Sequence, residues 1–302
     1  MKLYVAPMNL FSNHIYRHLL LKHGADVAFT EVIMMDILEE EKAKGKLKVI
    51  PGDKTVFQIG TSKVEQIKEA ATLFNPHEIN LNMDCPHSTM VKEKICGGIL
   101  TDVVLMKELC TAMVQECKNP SVKLRIGLSE DRIYIDKYLD VISSSGIKKV
   151  YIHARPLRYS YSRPAMQEIF IGLKDKFPKM EIVINGDIDH NIPEGYDGIM
   201  IGRAALFNPL IFEQIKAGVK SDGYDPIHND PNMIKKDFGI HVGAKKKEAI
   251  LEFLQIAIEY EGRLELVKRN LMYLFKGVTG SQDMLNKVNE AESLGELLLF
   301  LK

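Results

Sequence analysis

The run Ile79-Asn80-Leu81-Asn82-Met83-Asp84-Cys85-Pro86 predicts a short buried strand that ends in a turn. Pro86 cannot continue a central strand, because proline lacks an N–H and its φ is fixed. The turn presents the amide of Asn82 and, three residues later, the thiol of Cys85. A thiol in this position is a nucleophile, a proton donor or a small buried hydrophobe. The run alone leaves these three roles open.

Similar short apolar runs recur along the chain and alternate with amphipathic stretches at helical spacing. The runs lie at residues 2–6, 26–30, 55–59, 78–82, 121–126, 149–153, 181–184 and 197–201. The amphipathic stretches lie at residues 12–23, 62–74, 102–117, 130–144 and 203–217. Eight such repeats predict an α/β protein with a closed (β/α)8 TIM barrel. An open doubly wound sheet is the alternative, but no G-x-G-x-x-G follows any predicted strand.

The composition changes after about residue 220 in a way that predicts a second domain. Residues 221–238 are rich in Asp, Pro, Gly and Asn, whereas the period from residue 245 to 302 is helical throughout. We therefore expect a catalytic barrel over residues 1–225, a linker over 226–239 and a C-terminal helical domain over 240–302.

The overall composition excludes several classes of protein. The 40 basic and 40 acidic residues give a net charge of zero, which argues against a nonspecific polyanion binder. The four cysteines include no C-x-x-C pair, so neither a zinc ribbon nor a disulfide framework is expected, and no metal site is predicted. No apolar run approaches the roughly 20 residues that span a bilayer. Since structure begins at once with Lys2, we expect no signal peptide and a cytoplasmic protein.

Polar residues cluster at the ends of the predicted strands. In chain order these ends are Ala6-Pro7-Met8, Thr30-Glu31, Gln58-Ile59-Gly60, Asn82 with Cys85, Lys123 with Arg125, His153 with Arg155, Asn185-Gly186-Asp187 and Gly202-Arg203. In a TIM barrel the carboxyl ends of the strands converge on one mouth, where such barrels keep their chemistry. Each residue alone has a structural explanation, but polar residues at so many strand ends together indicate a site, because burying polar groups without partners is unfavourable.

The last two loops indicate the kind of ligand. Gly186 and Gly202 follow strands seven and eight, where barrels commonly bind phosphate, and Arg203 adds a forked donor suited to phosphate oxygens. Lys123 can stabilise negative charge on a reduced flavin ring, and Gln58 can serve the ring's amide edge. This set predicts FMN rather than a dinucleotide.

Six motifs in register give the chain a resemblance to the tRNA-dihydrouridine synthase family over essentially its whole length. The matching segments are Ala6-Pro7-Met8, Asn82 to Pro86, Cys96 to Leu100, Lys123-Leu124-Arg125-Ile126-Gly127, Asn185-Gly186-Asp187-Ile188, and Met200 to Leu206 with Asn208-Pro209. The helical tail, with Lys268-Arg269, Tyr273 and Lys276-Gly277, is similar to the family's RNA-facing domain.

The resemblance implies that the protein reduces the 5,6 double bond of a uridine in tRNA to dihydrouridine, with FMN as cofactor and NADPH as reductant. Cys85 would be the general acid that gives a proton to carbon 5. The uridine would leave the base stack to enter the barrel mouth. No membrane and no stable protein partner is implied.

The resemblance also implies roles for the other strand-end residues. The cofactor set is Ala6, Pro7, Met8, Gln58, Lys123, His153, Asn185, Gly186, Asp187, Gly202 and Arg203. The substrate set is Asn82, Arg125, Arg155, Lys268 and Arg269. His153, together with Arg125 and Arg155, is also a candidate for placing uracil carbonyls or the RNA phosphate.

Four positions in three segments depart from the family pattern. Asp84 stands where the family usually has glycine, and a carboxylate beside the thiol favours the protonated form that a proton donor needs. The family's H-G-R-T is His153-Ala154-Arg155-Pro156 here, and Asn80 replaces a frequent acidic residue.

Two alternative functions remain. A small-molecule FMN oxidoreductase of the dihydroorotate dehydrogenase type is the alternative enzyme. A catalytically silent RNA-binding protein is the alternative from another class.

Overall fold

Eight parallel strands close into a barrel in the computed structural model of the chain, which describes residues 1–188, 192–219, 243–275 and 281–301. Each barrel strand pairs with the next along the chain, and the eighth pairs with the first. A short ninth strand, Ile33–Met34, pairs in parallel with the third. The strands are β1 (Lys2–Val5), β2 (Val27–Phe29), β3 (Thr55–Gly60), β4 (Glu78–Met83), β5 (Asn119–Arg125), β6 (Lys149–His153), β7 (Glu181–Asn185) and β8 (Gly198–Ile201). The predicted TIM barrel is confirmed.

Helices cover the outside of the barrel and form the tail. They are α1 (His14–Lys22), α2 (Leu38–Ala43), α3 (Val64–Phe74), α4 (Ser88–Lys92), α5 (Val103–Glu116), α6 (Ile135–Ser144), α7 (Leu173–Lys176), α8 (Arg203–Phe207), α9 (Ile211–Lys216), α10 (Gly243–Glu259), α11 (Leu264–Leu274), α12 (Ser281–Glu290) and α13 (Leu294–Leu301). Short 3-10 helices lie at Met35–Ile37, Cys96–Thr101 and Gln167–Phe170.

Two helices differ from their predicted bounds by more than two residues. The helix predicted over 203–217 is divided at Asn208, because a residue that precedes proline is disfavoured in the α conformation. The stretch predicted over 130–144 becomes helical only at Ile135, since Gly127–Ser129 and Arg132–Ile133 pair as an antiparallel hairpin first.

The two ends of the barrel interior differ in composition. Aromatic rings pack near the amino ends of the strands, where Glu78, Lys149 and Glu181 also pair, and buried amides and charges lie near the carboxyl ends. At the amino ends of the strands, Tyr151 packs edge to face against Tyr4 at 5.2 Å and Phe29 at 4.8 Å, with Val183 and Met200 in the same buried cluster. These rings fill the N-terminal part of the barrel, so we expect ligands to bind at the C-terminal mouth.

The C-terminal helices pack directly on the barrel. Phe253 of α10 meets Tyr16 of α1 edge to face at 5.8 Å, and both rings are buried. The Asn13 amide donates to Asn270 of α11 at 2.7 Å. The helical prediction for the tail is confirmed over the described residues, whereas the predicted linker and Lys276-Gly277 lie outside them. Among those residues, no helix has the length and apolarity of a membrane span.

Candidate active site

The turn that carries Cys85 is held from two sides. The Asn82 side-chain oxygen accepts hydrogen bonds from the backbone N–H of Asp84 at 2.9 Å and of Cys85 at 3.0 Å. On the other side, the Cys85 carbonyl accepts from the N–H of Gly97 at 3.2 Å. A Cβ at position 97 would lie only 2.4 Å from that carbonyl oxygen, so the close approach requires glycine. The half-buried thiol is therefore fixed at the rim of the mouth.

A chain of side-chain amides crosses the barrel beneath this turn. Asn82 donates to Gln58 at 2.8 Å, Gln58 donates to Asn80 at 2.9 Å, and Asn80 donates to Ser121 at 2.8 Å. All four side chains are buried, and three neighbouring strands contribute them. The amides of Asn82 and Gln58 thus hold each other in place. Asn80, which stands where the family pattern often has an acidic residue, is a member of the same series of hydrogen bonds.

Asp84 is the centre of the charged part of the mouth. Its carboxylate accepts from Arg125 Nε at 2.8 Å and from His153 Nδ1 at 3.0 Å, and it also pairs with the Lys123 ammonium. Burial by itself raises the pKa of Asp84, but the charges of Lys123 and Arg125 and the His153 hydrogen bond outweigh burial and hold the pKa well below its usual range.

Burial lowers the pKa of two basic partners of Asp84, His153 and Lys123. Burial lowers the pKa of His153 to about 4 against the opposing effect of Asp84, so the imidazole is neutral at pH 7. Its Nε2 then accepts from the Arg155 guanidinium at 3.3 Å, because arginine can only donate. Burial likewise lowers the pKa of Lys123, with Asp84 opposing the shift.

A second carboxylate organises the loops after β6, β7 and β8. Asp187 accepts from Arg155 and from Arg203, each at 2.5 Å. The backbone at Gly186 and Asp187 lies in the left-handed region, with φ of 120° and 49°, which turns the Asp187 carboxylate toward both arginines. Asn185, the last residue of β7, donates to the carbonyl of Met200 on β8 at 2.8 Å and joins the two strands just before their loops.

The segments that follow the first and last strands, both in the predicted cofactor set, meet at the mouth. A Cβ placed at Gly202 would touch Ala6 at 3.5 Å and the Met8 sulfur at 3.7 Å. Ser12 bridges this segment by donating to the Ala6 carbonyl at 3.0 Å and accepting from the Met8 N–H at 2.9 Å. The structure therefore places these residues in one group, and Pro7 lies between two of them.

Tyr161 is the site residue that the sequence predictions missed. Its ring stacks on His153 at 5.8 Å and lies over the guanidinium groups of Arg125 at 5.2 Å, Arg203 at 5.5 Å and Arg155 at 5.8 Å. In the segment Arg158-Tyr159-Ser160-Tyr161-Ser162-Arg163, two tyrosines alternate with serines between two arginines just after a strand end, and this pattern was the available signal.

The same three arginines hold that segment over the mouth. Arg125 donates to the Tyr159 carbonyl at 3.3 Å, Arg203 to the Tyr161 carbonyl at 3.0 Å, and Arg155 to the Arg163 carbonyl at 2.7 Å. Alternate carbonyls of one loop thus accept hydrogen bonds from three arginines at three different strand ends.

The predicted tail residues lie apart from the mouth group. The Lys268 ammonium donates to the carbonyl of Asn289 at 2.9 Å, near the end of α12, while Arg269 is exposed. The tail reaches the mouth through other residues: Tyr273 of α11 packs edge to face on Phe11 at 4.8 Å, in the loop that follows Met8.

Comparison of the whole chain with known protein families and relatives agrees with the resemblance that the six motifs indicated. The family model "Dihydrouridine synthase (Dus)" matches residues 4–300. A "Probable tRNA-dihydrouridine synthase" of Aquifex aeolicus is 26% identical over 315 residues, covering 97% of this chain and 93% of the relative. A "tRNA-dihydrouridine(20/20a) synthase" of Synechocystis is 26% identical over 296 residues, covering 90% and 84%. A "tRNA-dihydrouridine synthase B" of Shewanella oneidensis is 27% identical over 233 residues, covering 71% of each. The chain belongs to the dihydrouridine synthase family.

Proposed function

We propose that this protein is a tRNA-dihydrouridine synthase that uses FMN and NADPH to reduce the 5,6 double bond of a uridine in tRNA. The observation that carries the proposal is the placement of the Cys85 thiol on a fixed turn at the rim of a barrel mouth that also presents Lys123. A proton donor and a cation at one mouth fit the addition of a hydride and a proton across a double bond. The relatives named for this reaction support the substrate class.

The charges of the mouth fit FMN. Four cationic side chains, Lys123, Arg125, Arg155 and Arg203, face two carboxylates, Asp84 and Asp187, which leaves two positive charges in excess. One excess charge lies beside Asp84 and one beside Asp187, and FMN carries negative charge both on its phosphate and, once reduced, on its ring. Arg125 Nη2 is buried without a hydrogen-bond partner among the described residues, so the donor set has capacity for a further acceptor.

Each group has one role in the proposed reaction. Gly202, Arg203 and the loop Asn185–Asp187 would hold the phosphate half of FMN, and Ala6 to Met8, Gln58 and Lys123 the ring half. The chemistry that bound FMN supplies is hydride transfer from NADPH to carbon 6 of the uracil. Cys85 gives its proton to carbon 5, and Asn82 keeps the thiol's turn in place. Because tRNA is the substrate, the proposal includes a cytoplasmic location.

The decisive experiment maps dihydrouridine in unmodified tRNA after incubation with the purified protein, FMN and NADPH. We expect new dihydrouridine, and we expect prereduced flavin on the protein to be reoxidised anaerobically by tRNA. Reoxidation by free uracil or orotate, with none by tRNA, would instead assign the protein to small-molecule pyrimidine reductases.

A further inference from the structure

The Asp84 carboxylate occupies the centre of a basic cradle formed by Lys123, Arg125 and His153. One carboxylate oxygen accepts from Arg125 Nε at 2.8 Å and from His153 Nδ1 at 3.0 Å, and the other pairs with the Lys123 ammonium. The Asp84 side chain is 12% exposed and the Lys123 side chain 3%. The two oxygens of this carboxylate therefore engage all three side chains of the cradle.

The charge in this cradle is only partly balanced. Lys123 and Arg125 carry two positive charges, Asp84 carries one negative charge, and His153 is neutral, so one positive charge is in excess. Arg125 also donates to the carbonyl of Pro156 at 2.8 Å, and its Nη2 has no hydrogen-bond partner among the described residues. The residue at position 84 thus sets both the net charge of the cradle and the position of the Lys123 ammonium.

A glycine at position 84, which is the usual residue in the family pattern, would leave Lys123 and Arg125 without this partner. Lys123 would then present its full charge to whatever binds in the mouth. With Asp84 present, a fixed negative charge lies in hydrogen-bond contact with the ammonium and opposes its effect on any nearby negative charge, because charges in a buried site are weakly screened.

We propose that Asp84 is a positioning residue that acts through Lys123 to lower the reduction potential of the flavin bound at this mouth. The inference rests on the proposed function, in which Lys123 stabilises the negative charge of the reduced ring. A lower potential makes the reduced cofactor a stronger hydride donor toward the uracil double bond. Asp84 itself touches Lys123 and two other side chains of the chain, and its effect is transmitted by the ammonium that it holds.

The test measures the midpoint potential of bound FMN by anaerobic equilibration with a reference dye. We expect Asp84→Asn to bind reduced FMN about tenfold more tightly relative to oxidised FMN, which for a two-electron couple is a positive shift of ~30 mV. Asp84→Glu keeps the charge and is expected to stay near the parent protein. Asp131→Asn is the matched control, since Asp131 is a carboxylate with a 77% exposed side chain in the hairpin after β5.

A double-variant cycle separates transmission through Lys123 from a direct effect. In a Lys123→Gln background, Asp84→Asn should shift the potential much less than in the parent protein. An equal shift in both backgrounds, or no shift in either, overturns the inference. Asp84→Gly repeats the test with the family's usual residue if the asparagine variant does not fold.

The result also distinguishes this inference from the function on which it rests. A parent protein that binds FMN and modifies tRNA, but whose potential does not respond to position 84, leaves the function intact and rejects the role of Asp84. A parent protein that binds no FMN rejects both.

Discussion

The side-chain oxygen of Asn82 accepts a hydrogen bond from the backbone N–H of Cys85 at 3.0 Å, so an amide three residues earlier fixes the position of the thiol. The same oxygen accepts from the N–H of Asp84 at 2.9 Å, which makes the turn rigid. The Asn82 nitrogen is in turn held by Gln58 at 2.8 Å. The position of the thiol is therefore determined by a side chain of the neighbouring strand as well as by its own.

Replacing Asn82 by alanine is expected to slow the uridine half-reaction by about 10²-fold, since a misplacement of about 1 Å can reduce a rate by this factor. NADPH-driven flavin reduction should change little. Stopped-flow absorbance of the flavin, followed separately with NADPH and with tRNA, measures the two steps. Asn82→Asp keeps the acceptor oxygen and should retain more activity than alanine, while Asn119→Ala, at an exposed amide at the start of β5, is the control. A variant Asn82→Ala with parental rates would show that the turn holds without the amide.

Replacing Cys85 by alanine should leave FMN bound and flavin reduction nearly intact, because the thiol acts only on the uracil ring. Loss of a general acid typically lowers a rate by about 10²–10⁴-fold, so the uridine step should fall by that amount. Cys110→Ala is the matched control, since this thiol is fully buried in α5. Equal losses in both half-reactions would mean that Cys85 is structural.

Replacing Arg203 by alanine should weaken FMN binding about 10–100-fold, because a hydrogen bond to a charged group contributes about 1.5–3 kcal/mol. Arg203→Lys should recover only part of the affinity, since lysine offers a point charge without the fork. Fluorescence titration of the apoprotein with FMN measures the change. Arg132→Ala, at an exposed arginine of the hairpin, should leave the affinity unchanged, and a parental affinity in Arg203→Ala would place the phosphate elsewhere.

Acid should destabilise the protein partly through His14. Burial lowers the pKa of His14 to about 4, although its hydrogen bond to the Tyr260 carbonyl opposes the shift. The unfolded chain binds that proton near pH 6.5, so between pH 6.5 and 4 the unfolded state gains a proton that the folded state lacks. The free energy of unfolding should therefore fall as the pH falls through this window, by about 1.4 kcal/mol per pH unit for this one proton.

Denaturant unfolding at several pH values measures that slope. His14→Gln keeps a donor for the Tyr260 carbonyl but does not titrate, so its free energy of unfolding should fall less steeply with acid. His77→Gln, at an exposed histidine next to β4, should leave the slope as it is in the parent protein. An unchanged slope in His14→Gln would mean that the pKa of His14 is the same in the folded and unfolded states.

We expect Arg269 to contact one phosphate of the tRNA. Replacing it by alanine should therefore weaken tRNA binding and reduce the slope of log affinity against log salt concentration by roughly 0.7–0.9. NADPH oxidation by oxygen should not change. Lys268→Ala should chiefly lower stability, because its ammonium already caps the Asn289 carbonyl. Lys118→Ala is the control, because this exposed lysine precedes β5 and so lies on the face of the barrel opposite the mouth. Unaltered affinity and slope in Arg269→Ala would show that the RNA docks on another surface.

The sequence by itself determined the barrel, the helical tail and the set of strand ends that form the mouth. Apolar runs that alternate with helical periods are local patterns, and the carboxyl ends of parallel strands converge whatever their side chains are. The prediction that Lys123, Arg125 and His153 share one mouth therefore needed no tertiary information. The break of the last barrel helix at Asn208 also follows from the sequence, because Pro209 disfavours the α conformation at the residue before it.

Only the tertiary structure decided which of these side chains hold one another. Asp84 meets Lys123 39 residues later and His153 69 residues later, and Gln58 meets Asn80 across 22 residues. Such partners are set by strand register and by the fold of long loops, neither of which leaves a local pattern in the sequence. The position of Tyr161 over three guanidinium groups has the same origin, because carbonyl acceptors in its loop are matched to arginines from three separate strand ends.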